Sequence, residues 1–239
     1  MRLLILTGIV LGWPAIVAGQ TFEYRVELQR WLQNRHGTLT ITPETIAFKS
    51  DQGKDSRTWS YHEIEQIVVP SPTLIEITTY EDQSLKLGRN RVFRFKLRQG
   101  AITRDVSALL MNRATRPIAT SILPEADDAP RFELPVKHLH TFGGCHGVLQ
   151  IFTDHITFRS ATRPSDSRYW RYADIQHIGY PTRFRLDILS YENELGGPTR
   201  RFNFDLKQDL PAAVYDYLWI RLHPSDFYPQ HNFDKGEHQ

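Results

Sequence analysis

The chain has 239 residues, a formal net charge of +2 and a single cysteine. Hydrophobic residues at 40% and charged residues at 23% exclude wholesale disorder and a multi-span membrane protein. Glycine and proline stand at 14 each with no biased tract, which excludes collagen, coiled-coil and mucin-like chains, and the even charge balance calls for no nucleic acid as partner.

Residues Met1 to Gly19 read MRLLILTGIVLGWPAIVAG. One Arg, an apolar run and then small residues follow the order of a secretory signal peptide, with the mature chain expected to begin near Gln20. The run is shorter than the roughly 20 residues needed to span a bilayer, and Trp13-Pro14 interrupts it, so an uncleaved membrane anchor is the second reading. The expected location is secreted or periplasmic. No Cys follows the apolar run, which excludes a lipoprotein anchor. With Cys145 alone, an exported chain forms no internal disulfide and depends on buried cores.

From Gln20 onward the chain contains itself twice. The segment HGTLTITPETIAFKS from His36 matches HGVLQIFTDHITFRS from His146, and Asp55-Ser56-Arg57-Thr58-Trp59-Ser60-Tyr61 matches Asp166-Ser167-Arg168-Tyr169-Trp170-Arg171-Tyr172. Phe93, Phe95 and Leu97 match Phe202, Phe204 and Leu206. The expected plan is one unit over 20–114, a proline-rich linker over 115–131, a second unit over 132–223 and a polar tail over 224–239.

Within the first unit, Leu39 with Ile41 and Ile46 with Phe48 alternate as half-buried strands around a turn at Pro43-Glu44. Trp59 and Tyr61 alternate on another strand, Ile75 and Ile77 on a further one, and Phe93, Phe95 and Leu97 on the last. Ile102, Val106, Leu109 and Leu110 then follow helical spacing. The second unit repeats this order, with Pro211 near the start of its helix. Each unit is therefore expected to be mainly β, with about seven antiparallel strands capped by one C-terminal helix.

The stretches Leu39-Thr40-Ile41, Ile46-Ala47-Phe48 and Trp59-Ser60-Tyr61-His62-Glu63-Ile64-Glu65-Gln66-Ile67, with their counterparts over 149–158 and 170–178, resemble the pleckstrin-homology-like superfold, in particular its GRAM and bacterial variants. The resemblance implies a bent sheet or partly open barrel in each unit. It also implies binding rather than catalysis, with lipid headgroups, peptides or proteins as ligands.

Three sets of residues are candidates for a site. Arg57 and Arg168 lie in the repeated D-S-R-x-W-x-Y signature as candidate anion anchors, although its presence in both copies favours a structural role as part of a capped turn. Arg89, Arg91, Arg94, Lys96 and Arg98 form a basic run whose alternate members share one face, an anionic-lipid surface or an ordinary solvated one. The segment His138-Leu139-His140-Thr141-Phe142-Gly143-Gly144-Cys145 puts both imidazoles on one face of a strand. A turn at Gly143-Gly144, pairing Phe142 with Cys145, adds the thiol to that face. Two His and one thiolate could hold zinc or copper. Their counterparts are Leu28, Arg30 and Arg35, so this chemistry belongs to the second unit alone. No nucleophile elbow, H-E-x-x-H or phosphate loop occurs. The expected function is an exported, non-enzymatic binding or scaffolding module with a protein, peptide or envelope component as partner. The alternatives are a metal-binding sensor, carrier or enzyme at the His–Cys face, and peripheral binding to anionic lipid.

Overall fold

Alternation of apolar and polar residues makes one face of each strand sticky, and in this chain the two runs of strands bury those faces as two antiparallel sheets. A computed structural model describes residues 20–30, 32–83, 90–193 and 197–223; the expected signal peptide at 1–19, Arg89 and the polar tail at 224–239 lie outside the described residues. The first unit comprises β1 (Phe22–Gln29), β2 (Arg35–Ile41), β3 (Thr45–Ser50), β4 (Arg57–Ser60), β5 (Ile64–Ser71), β6 (Leu74–Asp82), β7 (Asn90–Leu97) and α1 (Arg104–Arg113), followed by β8 (Ile118–Thr120). The second comprises β9 (Phe132–Leu139), β10 (Gly144–Ile151), β11 (His155–Ser160), β12 (Arg168–Arg171), β13 (Ile175–Thr182), β14 (Arg185–Ser190), β15 (Arg200–Leu206) and α2 (Ala212–Leu222).

The sheets share one order, β4-β3-β2-β1-β7-β6-β5 and β12-β11-β10-β9-β15-β14-β13, with β8 added at the β5 edge of the first. The chain is thus mainly β, two tandem sheet units each closed by a helix, as its repeats predict. The two cores match at most of their strand positions. Trp59 lies 4.8 Å from Phe93, and its counterpart Trp170 lies 4.9 Å from Phe202. Val106 and Leu110 of α1, and Val214 and Leu218 of α2, are buried against these aromatic clusters.

Tyr61 departs from the expected strand. It opens a 3-10 turn over Tyr61–Glu63, repeated over Tyr172–Asp174, where the chain crosses from one part of the sheet to the other. Each ring points inward and its hydroxyl donates to a main-chain carbonyl, Tyr61 to Thr42 at 2.7 Å and Tyr172 to Phe152 at 2.9 Å. The internal partner replaces water for a phenol that would otherwise be costly to bury.

Part of the linker is not simply extended. Ile118–Thr120 pairs in parallel with Ile67–Val69 of β5, and all three of its residues are buried. Beside it the second unit docks on the first through Arg171. The last carbonyls of a helix lack intrahelical partners. The Arg171 guanidinium supplies donors to the carbonyls of Met111 (3.0 Å), Ala114 (2.7 Å) and Arg116 (3.1 Å). Asp174 holds it from the other side at 2.7 and 2.8 Å. Tyr169, also on β12, packs against the first core.

Arg171→Ala is expected to destabilise the chain by about 1–3 kcal/mol through these lost charge-assisted bonds. Calorimetry should resolve two unfolding transitions where the parent chain shows one; a single unshifted transition would mean that the units do not depend on this contact.

Candidate metal centre

The mouth of the second unit gathers the segment that breaks the symmetry of the repeat. β9 and β10 form a hairpin in which Cys145 lies opposite His138, and the N–H of His140 donates to the carbonyl of Gly143 at 3.1 Å. The turn therefore runs through Thr141, Phe142 and Gly143, with Gly143 in the left-handed region at φ 80°. This corrects the expected Phe142–Cys145 pairing, because Gly144 joins β10 instead of completing a two-residue turn. The register moves by an even number of residues, so His138, His140 and Cys145 keep their common face.

On that face the ligand atoms of the three side chains lie within 4.8 Å of one another. His140 Nε2 is 3.4 Å from Cys145 Sγ, and His138 Nδ1 is 3.9 Å from it. A fourth group arrives from Asp166, at the end of the 3-10 turn Pro164–Asp166 just before β12, with Oδ2 at 3.2 Å from His140 Nε2. That oxygen is buried and has no hydrogen bond. Tetrahedral coordination with Zn–S near 2.3 Å and Zn–N near 2.0 Å separates ligand atoms by roughly 3.3–3.6 Å, which the two His140 contacts match and the wider His138 spacing exceeds.

The electrostatics suit a cation. His138 is packed against Phe158, Phe202 and Phe204, and burial, reinforced by His140, lowers its pKa to about 4. Its imidazole is neutral at neutral pH, with a lone pair to give. Burial pushes the Cys145 thiol up; Ser160 opposes this through a hydrogen bond, and Asp166 adds to it. A metal ion reverses that balance by taking the thiolate directly.

The geometry does not suit a nucleophilic triad. In such a triad the nucleophile and the acid address opposite nitrogens of the imidazole. Here Cys145 and Asp166 both face Nε2 of His140, and Cys145 is fully buried.

The first unit shows what normally occupies this place. Asp55, the counterpart of Asp166, meets Arg30 at 2.7 Å and Arg35 at 3.4 Å, the residues standing where the second unit has His140 and Cys145. Burial tends to raise the Asp55 pKa, but the two guanidiniums outweigh it and hold the carboxyl below its usual range. Sequence reasoning placed Asp166 only as a turn cap. The signal that could have found it was the same duplication, since both arginines that pair with Asp55 are replaced in the second unit.

The other candidates do not converge. Arg57 donates to the carbonyl of Ser56, its own neighbour. Arg168 is turned inward, 3.8 Å from buried Glu192 and over the Phe202 ring, so its charge already faces a carboxylate that also accepts from Trp170 Nε1 at 2.9 Å. Arg94 and Lys96 share the exposed face of β7, and exposed Arg98 follows its end. Arg94 is paired with Glu76 and Arg98 with Glu27, while Lys96 stands in register with Glu27, so the basic stripe is largely neutralised in place.

Comparison with known proteins adds little. No family model and no curated protein matches the chain. Among solved structures, it is similar to the C-terminal domain of an unknown protein from Leishmania infantum (TM-score 0.29, 20% identity, 41% of this chain and 87% of that one). It is also similar to the Spt16D Pob3N heterodimer (TM-score 0.31, 12% identity, 82% of this chain and 99% of that one). At these scores neither likeness bears on function.

Asp55→Asn is expected to cost up to about 1 kcal/mol, since the partly exposed pairs are screened by solvent. That stability is present above the unfolded carboxyl pKa near 3.8 and fades as pH falls through the lowered folded value. Asp166→Asn in metal-free protein is expected to be neutral or stabilising. Denaturant titrations of both variants check the contrast; equal losses would refute it.

Proposed function

We propose that the chain is an exported two-unit binding protein, not an enzyme, whose second unit holds a transition-metal ion at His138, His140, Cys145 and Asp166. The observation that carries this reading is the buried oxygen of Asp166 beside His140 and Cys145, where the duplicate unit has two arginines. Two nitrogens, one sulfur and one oxygen form a set of intermediate softness, which suits zinc and, as competitor, copper. His138 and Cys145 are buried, whereas His140 is partly exposed, so the ion would enter from the His140 side.

The scaffold fits the pleckstrin-homology-like plan of seven strands and a C-terminal helix, used twice, and the leader-like first residues favour export from a bacterial cell. A protein or peptide partner is the second reading. It is favoured by a cleft of about 850 Å³ at the mouth of the first unit, lined by Leu32, Val92 and Phe93 beside Arg57 and Arg91, a mixture that fits an acidic peptide with apolar side chains. The neutralised β7 stripe argues against anionic lipid.

The experiment is metal analysis of the purified full chain, followed by zinc and copper titration of the chelated protein. One equivalent of tightly held ion is expected. His140→Ala and Asp166→Ala should weaken binding by more than the roughly 10–100-fold that outer-shell changes cost, with the fold retained by circular dichroism. A metal-free protein that takes up neither ion would overturn the proposal.

A further inference from the structure

The duplication exposes a second asymmetry, beside the tryptophan of each repeat. In the second unit Glu192 turns into the barrel and is 1% exposed. It accepts from Trp170 Nε1 at 2.9 Å and faces Arg168 at 3.8 Å. Burial pushes its pKa up, while Arg168, Arg200 and the Trp170 bond oppose that rise. Glu192 thus fills a place walled by one indole N–H and two guanidiniums.

The first unit keeps the same walls but directs its own carboxylate elsewhere. Trp59, Arg57 and Arg91 are the counterparts of Trp170, Arg168 and Arg200. Trp59 packs on Phe93 as Trp170 packs on Phe202. Arg91 lies over Phe93 at 4.9 Å, as Arg200 lies over Phe202 at 5.0 Å. Arg57 and Arg168 each donate from Nη1 to the carbonyl of the preceding serine, at 2.9 and 2.8 Å. Glu81 is the counterpart of Glu192, yet it accepts from Arg91 at 3.3 Å and stays partly exposed. The difference follows from strand length. β6 runs on to Asp82, opposite Asn90, whereas β14 ends at Ser190 and the chain then turns inward.

Trp59 is left with a buried Nε1–H that has no hydrogen-bond partner among the described residues. A donor in that position is costly to bury without an acceptor. Arg57, Arg91 and Phe93 also line the cleft of about 850 Å³ that opens past Leu32 and Val92. The place equivalent to the Glu192 carboxyl therefore lies between that cleft and Trp59.

We propose that the first-unit cleft takes a glutamate side chain of a peptide partner, its carboxylate accepting from Trp59 Nε1 between Arg57 and Arg91. This rests on the second reading above, in which the cleft binds an acidic peptide, and names the group that is recognised. The second unit supplies the precedent, since its resident carboxyl is itself a glutamate side chain on a polypeptide. Exposed Leu32 and Val92 give the apolar neighbours of that glutamate a surface. A carboxylate satisfies the indole and both guanidiniums together, with charge-assisted bonds that a neutral amide does not form.

The test is an NMR titration of the isotope-labelled full chain, read at the tryptophan indole N–H signals. An acetylated, amidated tripeptide with glutamate between two leucines should move the Trp59 signal downfield and leave the Trp170 signal in place. The glutamine version of the peptide, and Arg57→Gln with the original peptide, should each weaken binding by about tenfold or more. Equal binding of the two peptides would overturn the carboxylate assignment while leaving the cleft a peptide site; binding of neither would overturn both. Glutarate binding as tightly as the glutamate peptide would overturn the peptide as its source. A Trp59 signal that shifts in the free Glu81→Gln variant would also overturn the proposal, because the chain's own carboxylate would then hold the place.

Discussion

A partly buried carboxylate is stabilised by positive charge, and the two units give the same carboxylate different surroundings. The same Asp-Ser-Arg turn delivers Asp55 and Asp166 to equivalent places. In the first unit two arginines face it, and in the second His140 and Cys145 do, with His138 beside them. The Asp166 side chain is partly exposed but its Oδ2 is buried, so a divalent ion shared with these donors would stabilise it more than the neutral donors alone. The rest of the site follows: the hydrophobic wall that keeps His138 neutral, the hairpin that brings Cys145 opposite it, and the partial opening at His140.

The scaffold makes such divergence inexpensive. Each core has its own aromatic cluster and helix; Leu28 and Cys145 belong to the rims of those cores, whereas Arg30, Arg35 and His140 lie outside them. The two units keep the same strand order although His138, His140 and Cys145 stand where the first has Leu28, Arg30 and Arg35. Arg171 ties the two units together on a different side, where its donors complete the end of α1. Rigid docking there and a specialised mouth elsewhere are compatible because they use separate surfaces.

Much of the fold was legible in the sequence, because the duplication doubled every signal. Phe93-x-Phe95-x-Leu97 and its copy could only be strands facing a core, and Val106 with Leu110 could only be a helix face. What escaped was long-range. Tyr61 reads as one more alternating residue, yet its ring leaves the strand to bond Thr42. Ile118–Thr120 reads as linker, yet it completes a sheet. The His–Cys face survived a wrong register only because an even slip preserves sidedness. Asp166 was invisible as a ligand because it lies 21 residues from Cys145 in the chain and only the fold brings them together.

The central claim is that Asp166 and Cys145 share one ion with the two histidines. X-ray absorption spectroscopy of the zinc-loaded chain tests it most directly. The account predicts one sulfur near 2.3 Å and three nitrogen or oxygen neighbours near 2.0 Å, with the sulfur lost in Cys145→Ser. A first shell without sulfur, or with six oxygen neighbours, would contradict it.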